Sequence, residues 1–80
     1  MIRLTVYSRE GCHLCELLIE ELLPLARGRA QVEIVDVDSD PQLSEAYGLK
    51  VPVLVADGLE LCHFRLDRSA LQQVLADSQN

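Results

Sequence analysis

The feature that most narrows what this chain can become is the pair Cys12 and Cys15, set between two runs of different periodicity. Ile2, Leu4 and Val6 alternate with Arg3, Thr5 and Tyr7, the pattern of a half-buried strand over Ile2–Tyr7. After the polar loop Ser8-Arg9-Glu10-Gly11, apolar residues recur at Leu14, Leu17, Leu18, Leu22 and Leu25. That spacing is one face of a helix running from His13 to about Arg27. Two thiols at i and i+3, where a strand hands over to a helix, are close enough to form a disulfide. They also lie at the positive end of a helix dipole, which favours thiolate over thiol. Thiol–disulfide exchange is the chemistry this placement points to first.

The remaining pattern has a clear period or a clear break throughout. Pro24 should bend or end the first helix, because it removes a donor and clashes one turn back. Gly28 then permits a reversal. Val32–Val37 reads as a second strand, and its Ile34-Val35 run suggests burial on both faces, as in a parallel sheet. The connection back to it is a right-handed βαβ crossover. Asp40-Pro41 opens a short helix that ends at Tyr47-Gly48. Val53–Ala56 is a third strand, Asp57-Gly58 a two-residue hairpin turn, and Leu59–Phe64 the returning strand. Ala70, Leu71, Val74 and Leu75 stripe a last helix capped by Asp67 or Ser69, and residues 77–80 should fray. The order β-α-β-α-β-β-α gives an α/β domain over residues 1–80, a four-stranded mixed sheet flanked by helices. That arrangement resembles the smallest form of the thioredoxin fold.

Eighty residues permit one modest core, and with 4% aromatics and no Trp that core must be Leu and Val. The formal charge of −6 argues against a nucleic-acid or anionic-membrane partner. Its plain meaning is solubility; steering toward a basic partner is the second meaning. No run reaches the ~18 apolar residues of a membrane span. The first residues read as a strand, not a signal peptide. Three cysteines, an odd number, fit a reduced compartment with a working dithiol better than a secreted disulfide scaffold. A cytoplasmic monomer is the expectation.

Two segments carry a family resemblance. Tyr7-Ser8-Arg9-Glu10-Gly11-Cys12-His13-Leu14-Cys15 resembles the active-site approach of glutaredoxins. Tyr47-Gly48-Leu49-Lys50-Val51-Pro52-Val53-Leu54 resembles the segment holding their cis-proline. Element order matches from end to end, and the small bacterial branch with a Cys-His-Leu-Cys motif is the nearest likeness. The resemblance implies a cis Val51–Pro52 bond, a loop facing the thiols, and a Val51 backbone that pairs with an extended substrate segment. It also departs from the family. His13 and Leu14 stand where glutaredoxins usually have Pro and Tyr, and Lys50 replaces the usual Thr. The Gly-Gly pair expected after the third strand is absent, with Leu59-Glu60-Leu61-Cys62 in its place. Arg9 matches the basic residue that contacts a glutathione carboxylate, and Asp67 is a loose match for the residue that holds the glutathione amine. The redox chemistry carries over and the glutathione specificity does not.

From position alone, Cys12 is the attacking thiol and Cys15, one turn in and less exposed, the resolving thiol. Unpaired amides at the helix start should depress the Cys12 pKa against the opposing charge of Glu16. His13 either supports the thiolate as a cation or is an exposed helix-start residue without a role. Tyr7 either contacts substrate or packs beside the dithiol, and Arg9 is a carboxylate clamp or an ordinary loop charge. Leu14, Val51 and Pro52 complete the candidate substrate contacts. Cys12, Cys15, Cys62 and His63 form a formal zinc set, but neighbours on a strand point to opposite faces, so no metal is assigned. Cys62 then reads as a small apolar core residue. Glu16 after Cys15 excludes the haem-attachment pattern.

The function expected is a thiol–disulfide oxidoreductase acting on protein or glutathione-mixed disulfides. Glutathione or a thioredoxin-type reductase would supply electrons, with no bound cofactor. The alternative is a non-enzymatic module that bridges a [2Fe–2S] cluster across a dimer through Cys12 and external thiols, or binds a redox partner.

Overall fold

The strand Ile2–Ser8 (β1) occupies an inner position because its alternation serves two faces. The structure, a computed structural model, describes residues 1–77. Leu4 and Val6 point to one face and are fully buried, while Thr5 and Tyr7 point to the other. Helix α1 (His13–Ala26) returns the chain to β2 (Ala30–Asp36), which pairs parallel with β1, Leu4 beside Val32 and Val6 beside Ile34. A short 3-10 turn, Val37–Ser39, leads to α2 (Pro41–Tyr47), then to β3 (Val53–Ala56), β4 (Leu59–His63) and α3 (Arg68–Asp77). β3 runs antiparallel to β1 and to β4, giving the sheet order β2-β1-β3-β4.

Local signals place these elements. Asp40 Oδ1 accepts from the Gln42 N–H at 2.8 Å, with Pro41 in the first helical turn. Asp67 Oδ1 accepts from the Ala70 N–H at 3.0 Å, so Asp67 is the cap of α3. Asp57 and Gly58 both adopt positive φ, 48° and 90°, as the two-residue hairpin turn requires. The three residues 78–80, within the stretch expected to fray, lie outside the described residues.

The core fills one face of the sheet. Leu18, Leu22 and Ala26 of α1 and Leu71 and Leu75 of α3 pack on Leu4, Val6, Leu54 and Ala56. On the opposite face Val53 and Val55 are buried beside Tyr7 and Thr5, and the Tyr47 ring at the end of α2 stacks on Tyr7.

Three expectations are corrected. The inward stripe of α1 is Cys15, Leu18, Leu22 and Ala26, not one that includes Leu14 and Leu17, which remain 37% and 41% exposed. The cysteine is itself a core residue, and its inclusion turns the helix by about one position. Ile34-Val35 is not buried on both faces: β2 is an edge strand, and Ile34 is 49% exposed. The second strand covers Ala30–Asp36, and Val37 opens the 3-10 turn instead of closing the strand. Pro24 lies inside the last turn of α1, close to its expected end. Only two residues of the helix follow it, and Gly28, at φ 75°, makes the reversal.

Leu22→Ala should cost about 2–5 kcal/mol because it opens a cavity between α1 and the sheet. Leu23→Ala, at a half-exposed position, should cost under about 1 kcal/mol. Urea unfolding followed by circular dichroism measures both, and equal losses would contradict the assigned core face.

Candidate active site

A four-residue turn delivers the first cysteine to the helix. The Cys12 N–H donates to the Arg9 carbonyl at 3.2 Å, and Gly11 sits at φ 79° in the third position of the turn. Only glycine takes that conformation at no steric cost. Cys12 is the N-cap of α1: its Sγ accepts a hydrogen bond from the Cys15 N–H at 3.1 Å. A sulfur in that place receives one of the orphan amides of the first turn and the positive end of the helix dipole. Cys12 and Cys15 are joined as a disulfide with their Cα atoms 5.2 Å apart. Cys12 is partly exposed, whereas Cys15 is 2% exposed and faces inward.

The cis-proline loop and the end of β4 are tied to each other. The Val51–Pro52 peptide bond is cis, Pro52 is buried, and its carbonyl accepts from the Phe64 N–H at 2.9 Å. Phe64 follows β4 at φ 66°, and the Arg65 N–H closes a tight turn onto the His63 carbonyl at 2.8 Å. Left-handed backbone at an aromatic residue costs on the order of 1–3 kcal/mol. Leu14, which stands between the two cysteines in sequence, lines a groove of about 310 Å³ together with Leu17, Leu18, Glu21, Phe64, Arg65 and Leu66.

Arg9 and Tyr7 brace the site. Arg9 Nε and Nη2 donate to the two carboxylate oxygens of Asp38 at 3.0 and 3.1 Å, and Nη1 donates to the Gly48 carbonyl at 3.1 Å. The Asp38 carboxylate thereby holds the guanidinium even more firmly charged than usual. Tyr7 stacks on Tyr47 with ring centroids 4.3 Å apart, and burial pushes its phenol pKa up. Gly48 is required for close approach: a Cβ there would collide with the Ser44 carbonyl oxygen and stand 3.0 Å from Arg9 Nη2.

His13 is exposed at the head of α1, with Nδ1 3.8 Å from Glu16 Oε2, so any cationic charge it carries is offset locally. Lys50 Nζ donates to Glu60 Oε1 at 3.0 Å, and His63 Nδ1 lies 3.0 Å from Glu60 Oε2. The Lys50 ammonium, with His63 second, holds the Glu60 carboxyl below its ordinary range. An irregularity at Leu54/Val55 in the β3–β4 pairing sets Glu60 opposite Val55 and His63 opposite Val53, on one face.

Cys62 is half-buried and packs against the core, and burial pushes its thiol pKa up. No group of three or more His, Cys, Asp and Glu side chains converges for a metal among the described residues. No helix among them is long and apolar enough to cross a membrane.

Cys12, Leu14 and Cys15 share the head of α1, Val51 and Pro52 form the cis-proline loop tied to Phe64, and Tyr7 and Arg9 brace the segment before α1 against Tyr47, Gly48 and Asp38. Sequence reasoning does not find Asp38, Gly48, Tyr47 and Phe64 as members of the site. The acidic run Val37-Asp38-Ser39-Asp40 offers a partner for Arg9, but nothing local marks Phe64, whose backbone is set by the Pro52 carbonyl.

The sheet order and the paired cysteines at the head of α1 define a thioredoxin-fold protein with a redox-capable dithiol. The chain belongs to the glutaredoxin-like domain family (DUF836), whose model matches residues 3–76. It is similar to protein Ne2328 from Nitrosomonas europaea, at 38% identity over 91% of this chain and 89% of that one, TM-score 0.81. Protein XcR50 from X. campestris is 40% identical over 92% and 96% of the two chains, TM-score 0.72. A mutant thioredoxin from Halobacterium salinarum NRC-1 is 29% identical over 95% and 73%, TM-score 0.67. No curated protein matches the chain by sequence. Family, fold and paired cysteines together support a redox role.

Two tests follow from this geometry. Gly48→Ala should destabilise by about 1–3 kcal/mol, because the new methyl group displaces the Ser44 carbonyl or the Arg9 guanidinium; thermal unfolding reads it, and an unchanged Tm would contradict the close approach. In the reduced protein at neutral pH, iodoacetamide should modify Cys12 before Cys62. Peptide mapping that finds Cys62 labelled first would show the burial to be misassigned.

Proposed function

We propose that the protein is a thiol–disulfide oxidoreductase whose reduced form passes two electrons to a disulfide substrate. The observation that carries this reading is the hydrogen bond from the Cys15 N–H to Cys12 Sγ at the start of α1. The same donor and the helix dipole stabilise the sulfur when it is a thiolate. Cys12 is the partly exposed sulfur and therefore the nucleophile; Cys15, shielded beneath it, waits for the second step.

The Cys12 thiolate attacks one substrate sulfur. A bond forms between them, the substrate S–S bond breaks, and the first leaving thiolate takes a proton. The Cys15 sulfur gives up its proton and attacks Cys12 Sγ, the mixed disulfide breaks, and the second substrate thiol leaves protonated. The Cys15 proton and one proton from solvent, matching the one Cys12 gave up on ionising, end on the two substrate thiols, and the protein retains the Cys12–Cys15 disulfide. A dithiol reductase, or two molecules of a monothiol such as glutathione, then returns two electrons. Val51 offers its main chain to an extended segment of substrate, as an added strand would. The cytoplasm, with its reducing thiol pool, is the compartment in which this cycle runs.

Cys12→Ser should abolish disulfide reduction. Cys15→Ser should attack and stall, accumulating a mixed disulfide visible as an added mass. In Cys15→Ser, thiolate absorbance should rise at a pH below the ordinary thiol range of about 8.5. Retention of activity in both variants, or an ordinary titration of Cys12, would overturn the reading.

A further inference from the structure

We infer that this dithiol is built for a disulfide in a polypeptide segment with a large apolar side chain beside its cysteine, and that glutathione disulfide is a poor substrate. The inference rests on the oxidoreductase reading and adds the substrate class.

Glutathione is small, polar and carries two carboxylates and an ammonium group. A site that favours it must offer free cations near the dithiol. The cations flanking this one are, with one exception, already engaged. Arg9 is held by both oxygens of Asp38 and by the Gly48 carbonyl. Lys50 is held by Glu60, and Arg68 by Glu21 at 3.2 Å. A glutathione carboxylate would have to compete with a carboxylate of the protein at each of them. Of the cations around the groove, Arg65 on its rim is the one with no ion-pair partner among the described residues.

Most of the lining side chains are apolar instead, with Glu21, itself paired to Arg68, the one carboxylate among them. Leu14, between the two cysteines, faces the same groove as Leu17, Leu66 and Phe64, and Phe64 is 45% exposed. The Phe64 ring stands edge-on to His63 with centroids 4.8 Å apart and keeps its remaining surface in water, on left-handed backbone that is unfavourable in the free protein. That cost makes sense if the exposed part of the ring meets an apolar side chain in the complex. The groove, about 310 Å³, is at the small end of ligand pockets and suits a side chain more than a whole cofactor. Arg65 adds a place for one acidic residue next to that side chain. The occupant is therefore an extended peptide strand, its cysteine at Cys12, its apolar side chain against Phe64 and Leu14, and a carboxylate near Arg65.

The test is single-turnover mixing of the reduced full-length protein with three disulfides. Two are synthetic peptide disulfides that differ only in leucine or serine beside the cysteine, each with an aspartate next in sequence; the third is oxidised glutathione. The protein's own dithiol supplies both electrons, so no added reductant enters. The leucine peptide should react about tenfold faster, or more, than the serine peptide and oxidised glutathione, the factor expected for burying one large apolar side chain. Phe64→Asn keeps a residue that tolerates positive φ, so the turn survives. It should shrink the leucine-to-serine rate ratio about fivefold or more. An oxidised-glutathione rate equal to that of the leucine peptide, or a ratio unchanged in Phe64→Asn, would overturn the inference while leaving the oxidoreductase reading intact. No reaction with any of the three would remove both.

Discussion

The handover from β1 to α1 is the constraint on which the site depends. Gly11 allows a turn that closes on the Arg9 carbonyl, and that turn sets Cys12 at the N-cap of α1. From there the helix geometry places the Cys15 N–H on the Cys12 sulfur and sends the Cys15 side chain inward. One residue more or less in the loop would rotate α1 by about 100° and turn both Cys15 and the leucine stripe away from Leu4 and Val6. Core packing and redox geometry are thus the same requirement, met by the same helix.

A second layer holds that helix start against the rest of the molecule. Arg9 ties the loop to the 3-10 turn through Asp38 and to the end of α2 through Gly48, and Tyr7 stacks on Tyr47 of the same helix. These contacts join the dithiol loop to the segment that leads into Val51 and Pro52. Arg9 is exposed enough that its ion pair contributes little to stability by charge alone. Its value is geometric, because a planar fork with both ends engaged leaves little freedom in where the loop sits.

Much of this is legible in the sequence, and the boundary falls where the physics changes from local to non-local. Strand alternation at Ile2–Tyr7, the cap Asp40 and the Asp57-Gly58 turn are each decided within a few residues, and the structure agrees with them; of the two candidate caps of α3, Asp67 and Ser69, it is Asp67 that accepts the Ala70 N–H. The α1 face is misread when leucine is counted as apolar and Cys15 only as chemistry; in the fold Cys15 is both. Ile34 is misread because an apolar run does not say whether a strand lies inside or at the edge of a sheet. That follows from the β3 pairing with β1, between residues about fifty positions apart in the chain. Arg9 is a charge whose partner lies 29 residues away, which no local pattern names.

What the sequence determined by itself is the chemistry: two thiols three residues apart at the mouth of a helix, in an order of strands and helices that short-range preferences impose. What only the tertiary structure decided is how that chemistry is addressed. Folding spent Arg9 and Lys50 on Asp38 and Glu60, bound the Phe64 N–H to the Pro52 carbonyl, and turned Leu14 and Leu17 toward solvent. The reason is that charge pairing and exposure depend on which distant segments come together, and distance along the chain carries no record of that.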